Sequence, residues 1–122
     1  MAYGRKITGG KYKKFSKKKK YSLSGIPRKA KLGKTKTKIL RGMGGNTRTV
    51  LLACDSVNVI DPKTKKTKKV KIKNVLETPA DKFLARQNIL VKGALIETDL
   101  GKAKITNRPS QEGQVNAILL KE

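Results

Sequence analysis

The chain has 122 residues, 36% hydrophobic and 4% aromatic, with 31 Lys and Arg against 8 Asp and Glu and a formal net charge of +23. This length allows at most one compact domain with a tail, and so few aromatic residues require an aliphatic core. The lack of histidine excludes His-based triads and zinc–histidine sites, and the single cysteine excludes an internal disulfide framework.

The positive charge is concentrated in the first part of the chain. Residues 1–54 contain 17 Lys and Arg and no Asp or Glu, whereas residues 55–122 contain 14 basic and 8 acidic side chains. The formal charge is therefore +17 in the first part and +6 in the second. A segment of this kind attracts polyanions, of which nucleic acid is the commonest, while anionic membranes and heparin-like chains are the competitors.

Residues 1–33 are predicted to form an extended basic arm that is disordered in the free protein. Glycines and Pro27 interrupt any helical period, and residues 17–20 are four consecutive lysines. Four of the five aromatic residues lie here beside or near lysines, namely Tyr3, Tyr12, Phe15 and Tyr21. These rings either stack on unpaired RNA bases while the cations contact phosphates, or they hold the arm against its own domain. The charge of the arm favours the first interpretation.

Residues 34–48 predict a strand followed by a glycine-rich loop. Lys and Thr alternate over residues 34–38, which favours a strand with one basic face over residues 34–41. The loop that follows contains Gly42, Gly44 and Gly45 between Arg41 and Arg48. Glycines allow the backbone to approach another backbone closely, so the loop is either a phosphate-contacting element or a flexible turn.

Residues 34–122 are predicted to form a mostly β domain, a small antiparallel β-barrel of about six strands with one short helix. Residues 50–54 are apolar on both faces, and Val57 and Val59 then alternate with polar residues. This pattern predicts one strand, or two with a bulge near Asp55. Residues 61–64 favour a type I turn, and residues 69–76 a half-buried strand with a cationic outer face.

The second half of this domain carries helix and turn signals between short strands. Thr78 as N-cap and Pro79 as first helical residue predict a helix over about residues 79–87 that buries Phe83 and Leu84. Strands are expected at 89–91, 94–98, 103–107 and 115–120, with a positive φ at Gly101 and a loop over residues 109–113. Short strands with closely spaced turns are typical of a small barrel.

Catalytic and cofactor motifs are missing from the sequence. Cys54 follows an apolar run, which favours a buried structural side chain. Residues 32–35 look like the end of a P-loop, but Arg28 stands where the motif requires glycine. We therefore expect no cofactor, metal, enzymatic activity or small-molecule substrate. The chain lacks an apolar run of membrane-spanning length and a signal-peptide pattern, so we expect a soluble intracellular protein.

Several short motifs resemble those of the S8e family of archaeal and eukaryotic small-subunit ribosomal proteins. They are Thr8-Gly9-Gly10, Arg41-Gly42 with Gly44-Gly45-Asn46, the stretch 58–64, and above all the stretch 86–120, which follows the family pattern almost in register. The length is similar to that of archaeal members. The resemblance implies a β-barrel body, an N-terminal extension into small-subunit rRNA, neighbouring ribosomal proteins as partners and a place on the cytoplasmic ribosome. Met43 stands where many members have arginine or another polar residue.

The resemblance also implies rRNA contacts by Arg5, Lys6, Gly9 and Gly10, and by the loop over residues 41–48. Basic and aromatic side chains of the arm and of the basic domain extend this set. The candidate RNA-binding residues are Arg5, Lys6, Gly9, Gly10, Lys11, Tyr12, Lys13, Lys14, Lys17, Lys18, Lys19, Lys20, Tyr21, Arg28, Lys31, Lys34, Arg41, Gly44, Gly45, Asn46, Arg48, Arg86 and Arg108.

The leading hypothesis is a structural constituent of the archaeal small ribosomal subunit that binds 16S rRNA through the basic arm and a basic barrel face. The alternative is a free-standing nucleic-acid-binding protein of the chromatin or RNA-chaperone type, which the composition alone does not exclude. An enzyme is the third hypothesis, and the absence of histidine argues against it.

Overall fold

The computed structural model describes residues 4–13, 17–23 and 25–120, and these form nine strands and two short α-helices. In chain order the elements are β1 (Ala30–Leu32), β2 (Lys36–Arg41), β3 (Thr47–Cys54), β4 (Ser56–Ile60), β5 (Thr67–Glu77), α1 (Lys82–Arg86), β6 (Ile89–Leu90), β7 (Leu95–Thr98), β8 (Gly101–Ile105), α2 (Pro109–Glu112) and β9 (Asn116–Leu119). None of the helices within these residues is long and apolar enough to cross a membrane.

Five strands close into the predicted barrel, in the order β4-β5-β7-β8-β9. The four pairings along this order are antiparallel, while β9 returns to β4 in parallel and closes the barrel. At this junction Asn58 lies opposite Asn116, and its Nδ2 donates to the Oδ1 of Asn116 at 3.1 Å. Closure leaves no exposed strand edge in the barrel, which protects a small all-β body from edge-to-edge aggregation.

The barrel core is aliphatic, as the composition predicts. Val57, Val59, Ile96, Ala103 and Ile105 are each at most 1% exposed. Valine and isoleucine suit a pleated surface, and full burial of one such side chain contributes about 1.5–3 kcal/mol. The core thus forms without any of the aromatic side chains in the described part of the chain, all of which are exposed.

A bulge in β5 adjusts which side chains enter the core. The pairing with β7 shifts between Ile72 and Asn74, so that Ile72 and Val75 are both buried although they are three residues apart. The side-chain amide oxygen of Asn74 accepts from the backbone N–H of Val75 at 2.9 Å. Before the bulge, Lys69, Lys71 and Lys73 point outward as predicted.

A second sheet has the order β2-β3-β1-β6; its first three strands precede the barrel along the chain, while β6 lies between the barrel strands β5 and β7. Near Asp55, where one strand or two with a bulge were predicted, the chain passes from one sheet to the other, with β3 in the second sheet and β4 in the barrel. β1 lies between β3, which is parallel to it, and β6, which is antiparallel. Ala30 in β1 is 1% exposed, so the C-terminal end of the predicted arm range is part of a packed sheet.

The helix α1 is shorter than predicted and presents a different face. Asp81, and not Thr78, is the N-cap, because the Oδ1 of Asp81 accepts from the backbone N–H of Phe83 at 2.9 Å. The buried Thr78 hydroxyl instead donates to the backbone carbonyl of Asp81. The predicted burial of Phe83 is wrong, since its side chain is 66% exposed, while Leu84 is half-buried. A helix of five residues has one inward side, and Ala85 packs against the core there.

The loop predicted over residues 109–113 is wrong as well, because Pro109–Glu112 forms α2. Pro109 is at the first helical position, and Gly113 ends the helix in the left-handed conformation with φ +75°. These are the ordinary start and stop signals of a short helix. α2 packs against β3, and a Cβ built on Gly113 would lie 3.2 Å from the carbonyl oxygen of Thr49.

Turns lie at both predicted places, Asp61 and Gly101, but at Asp61 the backbone N–H of Lys65, not of Thr64, donates to the Asp61 carbonyl, at 2.8 Å, so the turn is one residue longer than the predicted type I turn. Gly101 has φ +118°, a conformation that disfavours other residues. The carboxylate of Asp61 accepts from the backbone N–H of Lys63 at 2.9 Å and from the hydroxyl of Thr64 at 2.9 Å. These bonds hold the pKa of Asp61 below its usual range. In the same way, the Thr35 hydroxyl is the main cause that lowers the pKa of Asp55.

We expect Gly113→Ala to destabilise the protein more than Gly93→Ala. Both glycines have positive φ, +75° and +83°, so each substitution costs about 1–2 kcal/mol in backbone strain. The new methyl group meets nothing within 4 Å at Gly93 but would crowd Thr49 at Gly113. Overpacking of that kind adds roughly 1–3 kcal/mol. Thermal unfolding of both variants measures the difference, and equal losses would contradict a close α2–β3 contact.

We also expect stability to fall in acid through Asp55 and Asp61. Because folding lowers both pKa values, their contribution is present above the ordinary aspartate pKa of about 3.9 and is lost as the pH falls through the lower folded values. The double variant Asp55→Asn/Asp61→Asn removes this contribution. Its melting temperature should decrease less than that of the wild type between about pH 5 and pH 2. Parallel curves for the two proteins would contradict the assignment.

Candidate nucleic-acid interface

The chain has 31 basic against 8 acidic side chains, and several of the described carboxylates accept hydrogen bonds from neutral groups of the protein itself. Asp61 closes a turn, Asp81 caps α1, and Glu112 accepts from the side-chain amide of Asn107 at 3.1 Å. An ion pair does join Lys73 and Asp99 at 3.5 Å, with both side chains more than half exposed. An exposed pair of this kind contributes about 0–1 kcal/mol. The surface therefore retains most of its positive charge.

The tip of the arm is a small β-hairpin rather than an irregular segment. Arg5 and Lys11 pair as an antiparallel bridge, and Lys6 donates its backbone N–H to the carbonyl of Gly10 at 3.0 Å. Gly9 has φ +79° and donates to the carbonyl of Lys6 at 2.8 Å, so the chain turns through a three-residue loop. The Arg5 guanidinium donates to the carbonyl of Gly9 at 2.9 Å. Five predicted site residues of the arm thus lie together.

The rest of the arm is exposed and cationic. Lys6 places its Nζ 5.7 Å from the centre of the Tyr12 ring, a cation–π distance. Residues Lys20–Ser22 form a single 3-10 turn, in which Tyr21 is 88% exposed. The predicted site residues Lys13, Lys17, Lys18, Lys19 and Lys20 are all exposed, and Lys14, Tyr3 and Phe15 lie outside the described residues.

The glycine-rich loop is an ordered turn at the tip of the β2–β3 hairpin. Gly42 donates its backbone N–H to the carbonyl of Asn46 at 2.6 Å, and the Asn46 side chain donates to the carbonyl of Met43 at 3.1 Å. Gly44 and Gly45 both have positive φ, +69° and +76°. Glycine adopts positive φ more readily than other residues do. At the tip of this hairpin the Met43 side chain is 94% exposed.

The two arginines that flank this loop lie on opposite faces of the hairpin. Arg41 pairs with Thr47, and Arg48 pairs with Leu40. Since successive side chains of a strand alternate between faces, Arg41 and Arg48 point away from each other. Both residues nevertheless line one cavity of about 370 Å³ at the hairpin tip, together with Gly42 and Asn46.

Arg48 also meets the base of the arm. A cleft is lined by Pro27 and Arg28 from the arm, by Arg48 from β3 and by Ser110 and Gln111 from α2. Sequence reasoning assigned Arg28 and Arg48 to RNA binding but missed Ser110 and Gln111. The signal that could have found them was the Pro109 start and Gly113 stop of α2.

The remaining predicted site residues lie on separate elements. Lys31 is exposed on β1, and Lys34 is exposed in the turn before β2. Arg86 ends α1, and its guanidinium carbon lies 5.7 Å from the centre of the Phe83 ring. Arg108 precedes α2 and donates its backbone N–H to Glu112 at 3.4 Å.

Cys54 has a structural environment. Its side chain is buried, and the thiol donates to the carbonyl of Ser56 at 3.0 Å. The described part of the chain holds no group of three or more His, Cys, Asp or Glu side chains placed to bind a metal ion.

Comparison with known proteins identifies the family. A sequence model of ribosomal protein S8e matches residues 2–120. The chain is 49% identical over 119 residues to the small ribosomal subunit protein eS8 of Sulfurisphaera tokodaii and 50% identical over 119 residues to that of Methanococcus aeolicus, covering 97% of this chain and 93% of each relative. It is 48% identical over 118 residues to the eS8 protein of Ignicoccus hospitalis, covering 95% of this chain and 91% of that relative. The chain therefore belongs to the ribosomal protein S8e family.

Proposed function

We propose that this protein is a structural constituent of the archaeal small ribosomal subunit and binds 16S rRNA through its basic arm and the basic surfaces of its body. The match to the S8e family over residues 2–120 carries this proposal. The relatives that it resembles over more than nine-tenths of their length are named small ribosomal subunit proteins. A ribosomal protein of this family is a structural protein and not an enzyme.

The charge distribution supports RNA as the partner within the subunit. Seventeen basic residues precede the first acid of the chain, Asp55, and three of the described carboxylates, those of Asp61, Asp81 and Glu112, accept hydrogen bonds at a turn or a helix start. Folding of RNA around such a surface supplies the missing negative charge and releases counterions from its phosphates. Double-stranded RNA offers side chains its backbone and 2′-hydroxyls more than its base edges, so recognition rests mainly on shape and backbone.

The domain division that we propose is a basic rRNA-binding arm over residues 1–33 and a barrel-containing body over residues 34–122. The hairpin at Arg5–Lys11 gives the arm a defined end, while the lysines at 17–20 follow as an exposed run. Neighbouring ribosomal proteins are the other partners, and the cytoplasmic ribosome is the location. Since β1 packs between β3 and β6, an experiment that removes the arm must stop before Ala30.

Sedimentation tests the function directly. Tagged protein in an archaeal lysate should migrate with the small subunit through a gradient that contains high salt, because many contacts within a particle survive counterion competition. Release to the top of the gradient, with recovery on DNA and on assorted RNA, would contradict the ribosomal assignment. The protein would then be a free-standing nucleic-acid-binding protein.

We expect deletion of residues 1–24 to leave the body folded and to remove most of the salt dependence of rRNA binding. The deleted segment holds nine cations, Arg5, Lys6, Lys11, Lys13, Lys14, Lys17, Lys18, Lys19 and Lys20. Each phosphate contact contributes about 0.7–0.9 to the slope of log K against log salt. If each of the nine cations contacts one phosphate, the slope decreases in magnitude by at most roughly 6–8. Binding of purified 16S rRNA at several salt concentrations measures it.

A full-length variant with the same nine cations replaced by glutamine is the matched control. It retains the arm aromatics, so any affinity that it keeps over the truncated protein measures ring stacking, which is worth about 1–3 kcal/mol per base. A truncated protein that binds as tightly as the wild type at moderate salt, with the same slope, would contradict the role of the arm.

A further inference from the structure

We propose that the cleft between the base of the arm, β3 and α2 holds one phosphate group of the nucleic-acid backbone, bound jointly by Arg28 and Arg48. This inference rests on the proposed rRNA binding and adds a specific contact to it. The two arginines are twenty positions apart in sequence, and both line this cleft together with Ser110 and Gln111. Chain folding, and not sequence proximity, brings them to one place.

Close packing positions the α2 side of the cleft. α2 packs against β3, and the missing side chain of Gly113 lets the helix end approach Thr49, where an added Cβ would lie 3.2 Å from the Thr49 carbonyl oxygen. Thr49 directly follows Arg48 in β3. Ser110 and Gln111 are therefore held at a defined distance from the strand that carries Arg48, whereas Arg28 enters from the arm.

The charge of the cleft is not balanced by the protein. No carboxylate lines it. Glu112, the acid of α2, accepts hydrogen bonds from the side chain of Asn107 and the backbone of Arg108. Neither Arg28 nor Arg48 forms an ion pair within the described ranges. Both arginines line the cleft, and two like charges on one cleft repel each other. An anion bound between them would be attracted to both.

The chemistry of the lining fits a phosphate. Guanidinium groups present paired N–H donors that match the oxygens of a phosphate, and both stay charged at every physiological pH. The Ser110 hydroxyl and the Gln111 side-chain amide add neutral donors beside them. A bound phosphate would bridge the base of the arm to the body, and so fix the direction in which the arm leaves the domain.

A double-mutant cycle tests this proposal with the full chain and purified, protein-free 16S rRNA. The variants are Arg28→Gln, Arg48→Gln and the double variant, each checked for unchanged thermal unfolding. If both arginines bind one phosphate, the double variant loses the salt slope of one contact, about 0.7–0.9, and not of two. The affinity losses should then also be non-additive. The factor by which a substitution lowers the RNA affinity should be smaller, by roughly threefold or more, in the variant that already lacks the other arginine than in the wild type.

Arg41→Gln is the matched control, because Arg41 does not line the cleft that holds Arg28. The loss of RNA-binding free energy caused by Arg41→Gln should simply add to the loss caused by Arg28→Gln when the two substitutions are combined. Additive losses for Arg28→Gln and Arg48→Gln would overturn the shared phosphate. So would unchanged affinity for protein-free rRNA with reduced incorporation into subunits, which would indicate a protein partner. In each of these cases rRNA binding by the wild type persists, so the proposed function is judged separately by that binding.

Discussion

Mutual repulsion among 31 basic side chains is the constraint to which this structure responds, because eight carboxylates cannot offset it. The chain places its cations on an arm, on a projecting hairpin and on the outer face of barrel strands, where water screens them. Asp61, Asp81 and Glu112 hold a turn and two helix starts in place. These carboxylates stabilise local structure in the body. The excess of cations leaves a positive electrostatic field that attracts a polyanion.

The closed topology of the barrel helps a small aliphatic core to stabilise the folded body against that repulsion. Five strands close on themselves when β9 pairs with β4, so every barrel strand has two neighbours. The second sheet then covers further apolar surface, with Val50, Leu51 and Ile89 each at most 1% exposed. Neither sheet uses a described aromatic residue in its core, which leaves Tyr12, Tyr21 and Phe83 on the surface. Exposed rings beside cations suit an RNA-binding surface better than a core.

Local signals predicted the elements whose cause is local. The alternation around Val57 and Val59, the Asp61 turn and the positive φ of Gly101 follow from side-chain period and backbone chemistry within a few residues. The N-cap of α1 was misplaced because Thr78 and Asp81 are both suitable caps. Burial decided between them, since Thr78 lies in the core and Asp81 at the surface. Phe83 was misjudged for the same reason, as hydrophobicity alone does not say which side of a one-turn helix faces inward.

The sequence by itself determined the fold class, the cationic arm and the resemblance to S8e proteins, because composition, periodicity and short motifs are properties of neighbouring residues. Only the tertiary structure decided that β3 and β4 belong to different sheets, that β9 closes the barrel in parallel, and that Arg48 and Arg28 line the same cleft. These outcomes depend on contacts between residues far apart in the chain, where packing and register, and not local propensity, select the partner.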